Sequence, residues 1–190
     1  MKELKPALLM LVIMTLLTGG IYPALVTGLA QYLFPNQANG SLIRSQGKLI
    51  GSQLVGQPFS NTHYFWGRPS ATAPIPYNAA ASSGSNQGPL NPALEEAVKG
   101  RMAALKASDP QQTTPIPVDL VTASASGLDP HISPAAALWQ IPRVAKERGL
   151  TAQEVQTLVA RHTEERLFGL LGEPRVNVLT LNLALDQGKP

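Results

Sequence analysis

The chain has 190 residues and no cysteine, which allows one domain plus a further segment and excludes disulfide frameworks, zinc–thiolate centres and thiol catalysis. Only 14% of its residues are charged and the net charge is +3. The basic residues are scattered rather than striped among aromatics, so no nucleic-acid partner is expected.

The charge deficit is concentrated near the N-terminus. From Ala7 to Phe34 there is no charged residue, a run long enough to cross a hydrocarbon core as a tilted helix. A cleaved signal peptide is the competing reading, with Ala7–Leu17 as its apolar region and Gly28-Leu29-Ala30 as the cleavage site. The apolar run continues past Leu17 through Ile21, Leu25, Val26 and Leu29, and Tyr32 and Phe34 stand where an aromatic belt meets headgroups, which favours a retained helix. Lys2 and Lys5 lie close before it, whereas Arg44 and Lys48 follow at a greater distance. That bias places residues 1–6 in the cytoplasm, 7–34 in the membrane and 35–190 outside the cytoplasm. Gly20, Ala24 and Gly28 form a small-residue stripe that allows another helix to approach closely. Pro23 and Gly19-Gly20 are expected to kink or loosen the helix.

Beyond the Asn39-Gly40 turn, Leu42-Ile43, Leu49-Ile50 and Leu54-Val55 read as short strands broken by glycines. Pro58 to Pro92 is a long irregular region, with Tyr64, Phe65 and Trp66 anchoring it to the core. Asn91-Pro92 begins a helix that runs to about Ala107, with Glu95 and Glu96 at its positive end. Val118 to Val121 reads as a strand. Ser133-Pro134 begins a second helix, interrupted by Pro142 and closed by Gly149. Thr151 and Glu154 form a capping box for a third helix to about Leu167. In VNVLTLNLAL, Leu179, Leu181, Leu183 and Leu185 alternate with Val178, Thr180 and Asn182, which predicts a final strand over 176–185. Together these make an α+β domain after a single transmembrane helix.

No constellation makes a strong catalytic site. Asp129, His131 and Ser133 carry the groups of a hydrolase triad, but Ser133 is more simply a helix cap. His63, His131 and His162 lack metal-ligand spacing. Ser82, Ser83, Gly84, Ser85, Asn86 and Gln87 resemble a phosphate cradle in composition, yet Ser82 to Pro92 contains no lysine or arginine. On chemistry alone this is a structural or recognition loop.

Several stretches taken together resemble the C-subunit family of the Kdp potassium-transporting P-type ATPases. They are Gly19-Gly20-Ile21-Tyr22-Pro23, YFWGRPSA (64–71), Ser82–Asn86, Pro117–Ser124, Gly127-Leu128-Asp129, QIPRVAKERGL (140–150) and VNVLTLNLAL. The resemblance implies a single-pass subunit of the bacterial inner membrane with a cytoplasmic N-terminus and a periplasmic domain. Its implied partners are a channel-like potassium-binding subunit, an ATP-hydrolysing P-type subunit and a small single-helix subunit. The implied role is non-catalytic: assembly and activity of a high-affinity potassium importer, with no cofactor of its own. One family proposal has it raise the ATP affinity of the hydrolysing subunit through the Ser82–Gln87 loop; another makes it a cap at the potassium entrance. Ser83 stands where the family pattern has glycine. If that position needs φ > 0, serine is strained there. A cytoplasmic N-terminus also puts the loop on the side without ATP, leaving only an indirect effect on the nucleotide site.

Overall fold

A helix bonds the backbone N–H and C=O groups of an apolar run within the segment itself, and this run folds as helix throughout. The computed structural model describes residues 2–188 and divides into two compact units, one ending at Ser52 and the other beginning at Gln53. In the first, α1 (Leu4–Leu16) passes through a π-turn (Leu17–Ile21) into α2 (Tyr22–Leu33). This 30-residue helix, Leu4–Leu33, is long and apolar enough to cross a membrane, and none of its residues is buried within the chain. The π-turn is the loosening expected at Gly19-Gly20. Pro23 has no N–H to donate and its ring crowds the carbonyl four residues back, so the ladder widens there, and Tyr22 N–H bonds the Leu17 carbonyl.

A short helix α3 (Pro35–Ala38) leads to a hairpin of β1 (Leu42–Ser45) and β2 (Lys48–Ser52). Ser45 pairs with Lys48 across a two-residue turn, Gln46-Gly47, whose φ values of 48° and 78° suit the twist of a tight hairpin. Leu54-Val55, expected as a short strand, is a turn followed by a single bridge residue, Val55.

The second unit contains α4 (Pro92–Ser108), β3 (His131–Ile132), α5 (Pro134–Arg148), α6 (Ala152–Arg161), β4 (Thr163–Glu164), β5 (Arg175–Asn177) and α7 (Val178–Asp186). The three strands form one antiparallel sheet in the order β3-β5-β4. This is the expected α+β class, with a sheet smaller than the strand pattern suggested. The helix starts follow local chemistry. Asn91 accepts the Ala93 N–H, Ser133 accepts the Ala136 N–H, and Thr151 and Glu154 make both bonds of the capping box. Gly149, at φ 66°, closes α5, which runs through Pro142 without ending.

Three sequence expectations are corrected. Residues 176–185 are strand only as far as Asn177; Asn177 then accepts the Thr180 N–H and caps α7. The buried residues of α7 are Val178, Leu179, Leu181, Asn182 and Leu185. Val178, Leu181, Asn182 and Leu185 stand at the i, i+3, i+4, i+7 positions of one helix face, and tertiary bonding of the polar Asn182 selects the helix over the alternation. Val118–Leu120 is a 3₁₀ turn rather than a strand, held where the Asp119 carboxylate accepts the Ser133 N–H at 2.7 Å. The third helix stops at Arg161 rather than near Leu167, because Thr163 and Glu164 leave to pair with Val176 and Arg175.

The core gathers Val144, Val155, Leu158, Val176, Leu181 and Ile132 around one loop residue, Phe65, which is fully buried. The loop reaches this depth because side chains replace a neighbouring strand. Asn182 accepts the Phe65 N–H at 2.9 Å and donates to its carbonyl at 3.0 Å. Gln140 does the same for Trp66, at 2.8 and 3.1 Å. Arg143, 2% exposed, donates to the carbonyls of Thr62 and Tyr64 and to Gln140 Oε1, and lies 4.6 Å from the Trp66 ring centroid. Burial lowers its guanidinium pKa to about 10, with Asp109 and Glu147 opposing the shift. Among the described residues no carboxylate lies within ion-pair distance of it, so carbonyl dipoles and the indole face stabilise the charge.

Candidate functional site

The serine/glycine loop lies against the segment 125–127, and the chain before it explains why. Ser70 Oγ donates to the Gly127 carbonyl at 2.7 Å and accepts the Tyr77 N–H at 2.9 Å. Thr72 Oγ1 donates to the Ile75 carbonyl and accepts the Asn78 N–H. These two hydroxyls fold residues 70–78 into a tight knot, with a cis peptide at Ala73-Pro74. Asn78 then caps a 3₁₀ turn, Ala79–Ala81, that delivers Ser82.

Ser82 Oγ and the Ser83 N–H both donate to the Ser126 carbonyl at 3.0 Å. A Cβ on Gly84 would lie 2.7 Å from the Ala125 carbonyl oxygen, so only glycine fits this close approach. Gly127 is equally constrained: its φ is +68° and a Cβ there would meet the Ser83 carbonyl at 2.8 Å. Ser83 itself is outside the left-handed region, so the conditional strain does not arise; the loop's left-handed residue is Asn86, at φ 52°. Asn tolerates that conformation better than most. Ser82, Ser83, Ser85 and Asn86 are exposed, and Gly84 and Gln87 half-buried.

A cation lies closer to this region than the sequence implies. Arg68 lines the same surface depression as Ser124, Ala125 and Ser126, the stretch on which the loop docks. It is already engaged, with Nη1 3.1 Å from Asp129 Oδ2 and Nη2 donating to the Ala123 carbonyl. Burial pushes the Asp129 carboxyl up, but hydrogen bonds from His131 and Arg68 outweigh it and hold the group below its usual value. On its other side Arg68 borders a cleft of about 230 Å³ with Phe59, Trp66, Tyr77 and Arg101. Burial pushes the Tyr77 phenol up to about 12, and the Asp129 charge adds to the shift. The hydroxyl donates to the Arg68 carbonyl at 2.6 Å.

The Asp129, His131 and Ser133 groups do not form a hydrolytic relay. His131 Nδ1 is 3.5 Å from Asp129 Oδ1, but no hydrogen bond joins His131 to Ser133 among the described residues. Ser133 Oγ accepts the Ala136 N–H and donates to Asp119 Oδ1 at 3.2 Å. Both sides of the hydroxyl are thus committed to holding the start of α5. No group of three or more His, Asp or Glu among the described residues is placed to hold a metal ion.

Of the stripe residues, Gly20 lies in the π-turn and Ala24 and Gly28 in α2. A Cβ on Gly20 or Gly28 would touch nothing within 4 Å. Among the described residues, no atom therefore occupies the space beside Gly20 or Gly28.

A model of the KdpC family, described as the K+-transporting ATPase c chain, matches residues 4–187. The chain belongs to this family. A potassium-transporting ATPase KdpC subunit from Methylococcus capsulatus is 68% identical over 182 residues, covering 96% of each chain. The one from Herpetosiphon aurantiacus is 66% identical over 185 residues, 97% of this chain and 96% of its own length. The one from Sorangium cellulosum is 64% identical over 184 residues, 97% of each. Such coverage spans both the apolar helix and the second unit. The residues that sequence reasoning missed are Gln140, Arg143 and Asn182. Their signal was present, as polar side chains on the apolar faces of α5 and α7, but their bonding partners are over 70 residues away in sequence.

Proposed function

We propose that the chain is a membrane-anchored, non-catalytic accessory subunit of a potassium-importing P-type ATPase in the bacterial inner membrane, with a cytoplasmic N-terminus and a periplasmic domain. The observation that carries this reading is the 30-residue apolar helix, in which no described residue is fully buried and whose Gly20, Ala24 and Gly28 stripe is open to a neighbour. Its neighbours are the channel-like potassium-binding subunit, the ATP-hydrolysing subunit and the small single-helix subunit, and its role is assembly and activity of that complex. The chain brings no cofactor; potassium is the cargo, and ATP belongs to the hydrolysing subunit. Bonding of Ser82 and Ser83 to Ser126, and of Arg68 to Asp129, favours a loop that shapes the domain's own surface over one that grips a nucleotide. That favours the reading of the domain as a cap near the potassium entrance, any effect on ATP affinity being indirect.

The Gly20→Leu, Gly28→Leu double variant tests the helix: bulky side chains hold helices apart, so the subunit should be lost when the complex is purified. Recovery at wild-type stoichiometry would overturn the stripe. A reporter fused at the C-terminus tests the orientation, which fails if the reporter is cytoplasmic.

A further inference from the structure

Between β4 and β5 the chain makes a tip whose four large apolar side chains face solvent. Leu167, Phe168, Leu170 and Leu171 are 60%, 85%, 80% and 61% exposed. A domain that has buried Phe65, Leu181 and Val155 almost completely has left these out. They are not the ends of a flexible loop. Leu167 and Leu171 exchange backbone hydrogen bonds, N–H to carbonyl at 2.9 Å and 3.0 Å. Leu170 N–H also reaches the Leu167 carbonyl, and Gly169 N–H the Arg166 carbonyl. At the base, Arg166 pairs with Glu173 at 2.5 Å and Arg175 with Glu164 at 2.9 Å.

The turn holds Phe168 at φ 55° and Gly169 at φ 73°. The left-handed region is natural for glycine and disfavoured for a bulky aromatic. The backbone therefore keeps a disfavoured conformation whose result is an aromatic ring held out in water. Strain of this kind persists where a function uses it.

Charge and size narrow the occupant. From Arg161 to Arg175 there are three arginines and three glutamates, so no cationic excess draws the tip to anionic lipid headgroups. Four side chains fall far short of the roughly 800 Å² per partner of a free-standing interface, which argues against self-association through the tip alone. A small rigid apolar projection suits an interface whose other contacts are supplied elsewhere, where an aromatic anchor filling a pocket contributes far more than its area.

We infer that the 167–171 tip is a preformed apolar knob that inserts into a hydrophobic pocket on the extramembrane surface of another subunit of the same ATPase. This rests on the reading of the chain as an ATPase subunit. Replacing Phe168 by p-benzoylphenylalanine as the protein is made places the photoreactive ketone on the knob itself, and the intact complex is then photolysed without any labelling step. Mass spectrometry should find the covalent adduct on another ATPase subunit; adducts on lipid, on a second copy of this chain, or none at all would overturn the inference. In parallel, Phe168→Asn with Leu170→Gln keeps a residue that tolerates the left-handed turn and removes the apolar surface. The domain should unfold at the same temperature or higher, while the fraction retained in the complex through detergent washing falls about tenfold. Unchanged retention would refute the knob while leaving the subunit assignment intact. Failure of the wild-type chain to co-purify with any ATPase subunit would instead remove the assignment on which it rests.

Discussion

Replacing Asn182 by leucine removes the amide that grips Phe65 while keeping the side chain's size. Asn182 is 1% exposed and Phe65 is fully buried, so no water replaces the lost partner. Two backbone groups are orphaned: the Phe65 N–H, now 2.9 Å from Oδ1, and its carbonyl, now 3.0 Å from Nδ2. A buried group left unpaired costs about 1–3 kcal/mol, so two cost about 2–6 kcal/mol. The extra apolar surface of leucine returns about 1 kcal/mol. The net expectation is a loss of about 3 kcal/mol, or a fall in Tm of about 9 °C for a domain of this size at roughly 3 °C per kcal/mol. Both tryptophans, Trp66 and Trp139, lie in the second unit, and Trp66 adjoins the perturbed residue. Thermal unfolding of the detergent-solubilised chain by intrinsic fluorescence therefore reads the change directly. A fall under about 2 °C would refute the reasoning, because it would mean Phe65 finds other partners at little cost.

Two further substitutions separate close approach from conformation. Gly84→Ala forces the loop off the Ala125 carbonyl and should raise proteolytic cleavage across residues 82–88 several-fold, whereas Ser83→Gly, at a position outside the left-handed region, should leave the pattern unchanged. Tyr77 sets an alkaline limit. Its folded pKa of about 12 exceeds the unfolded value of 10, so its contribution is complete below pH 10 and is lost as pH rises through 12. Unfolding measured between pH 9 and 12 should show a steeper stability loss in the wild type than in Tyr77→Phe, and parallel curves would exclude the assignment.

The sequence made visible what local chemistry decides. Asn91-Pro92, Ser133-Pro134 and the Thr151–Glu154 box each mark a helix start through bonds made within four residues, and all three helices begin there. Where a distant segment decides, the local pattern misleads. The alternating leucines of 179–185 favour a strand locally, and the bonds that decide for helix run from Asn182 to Phe65, 117 residues away. The turn at Val118–Leu120 likewise depends on Asp119 meeting Ser133. For the candidate loop, the missing lysine and arginine were legible, but the Arg68–Asp129 pair beside its docking segment was not, since it joins residues 61 apart.

The side-chain grip on Phe65 and Trp66 also restricts how chain length can vary. Consecutive residues are read by amides on two different helices, α7 and α5, while Arg143 counts the carbonyls of Thr62 and Tyr64. Adding or deleting one residue between 62 and 66 would present every backbone group to the wrong partner at once. A change of chain length is therefore better accommodated further along the same irregular stretch. The exposed residues 88–90, immediately before the Asn91 cap, can absorb it without disturbing a single bond of the core.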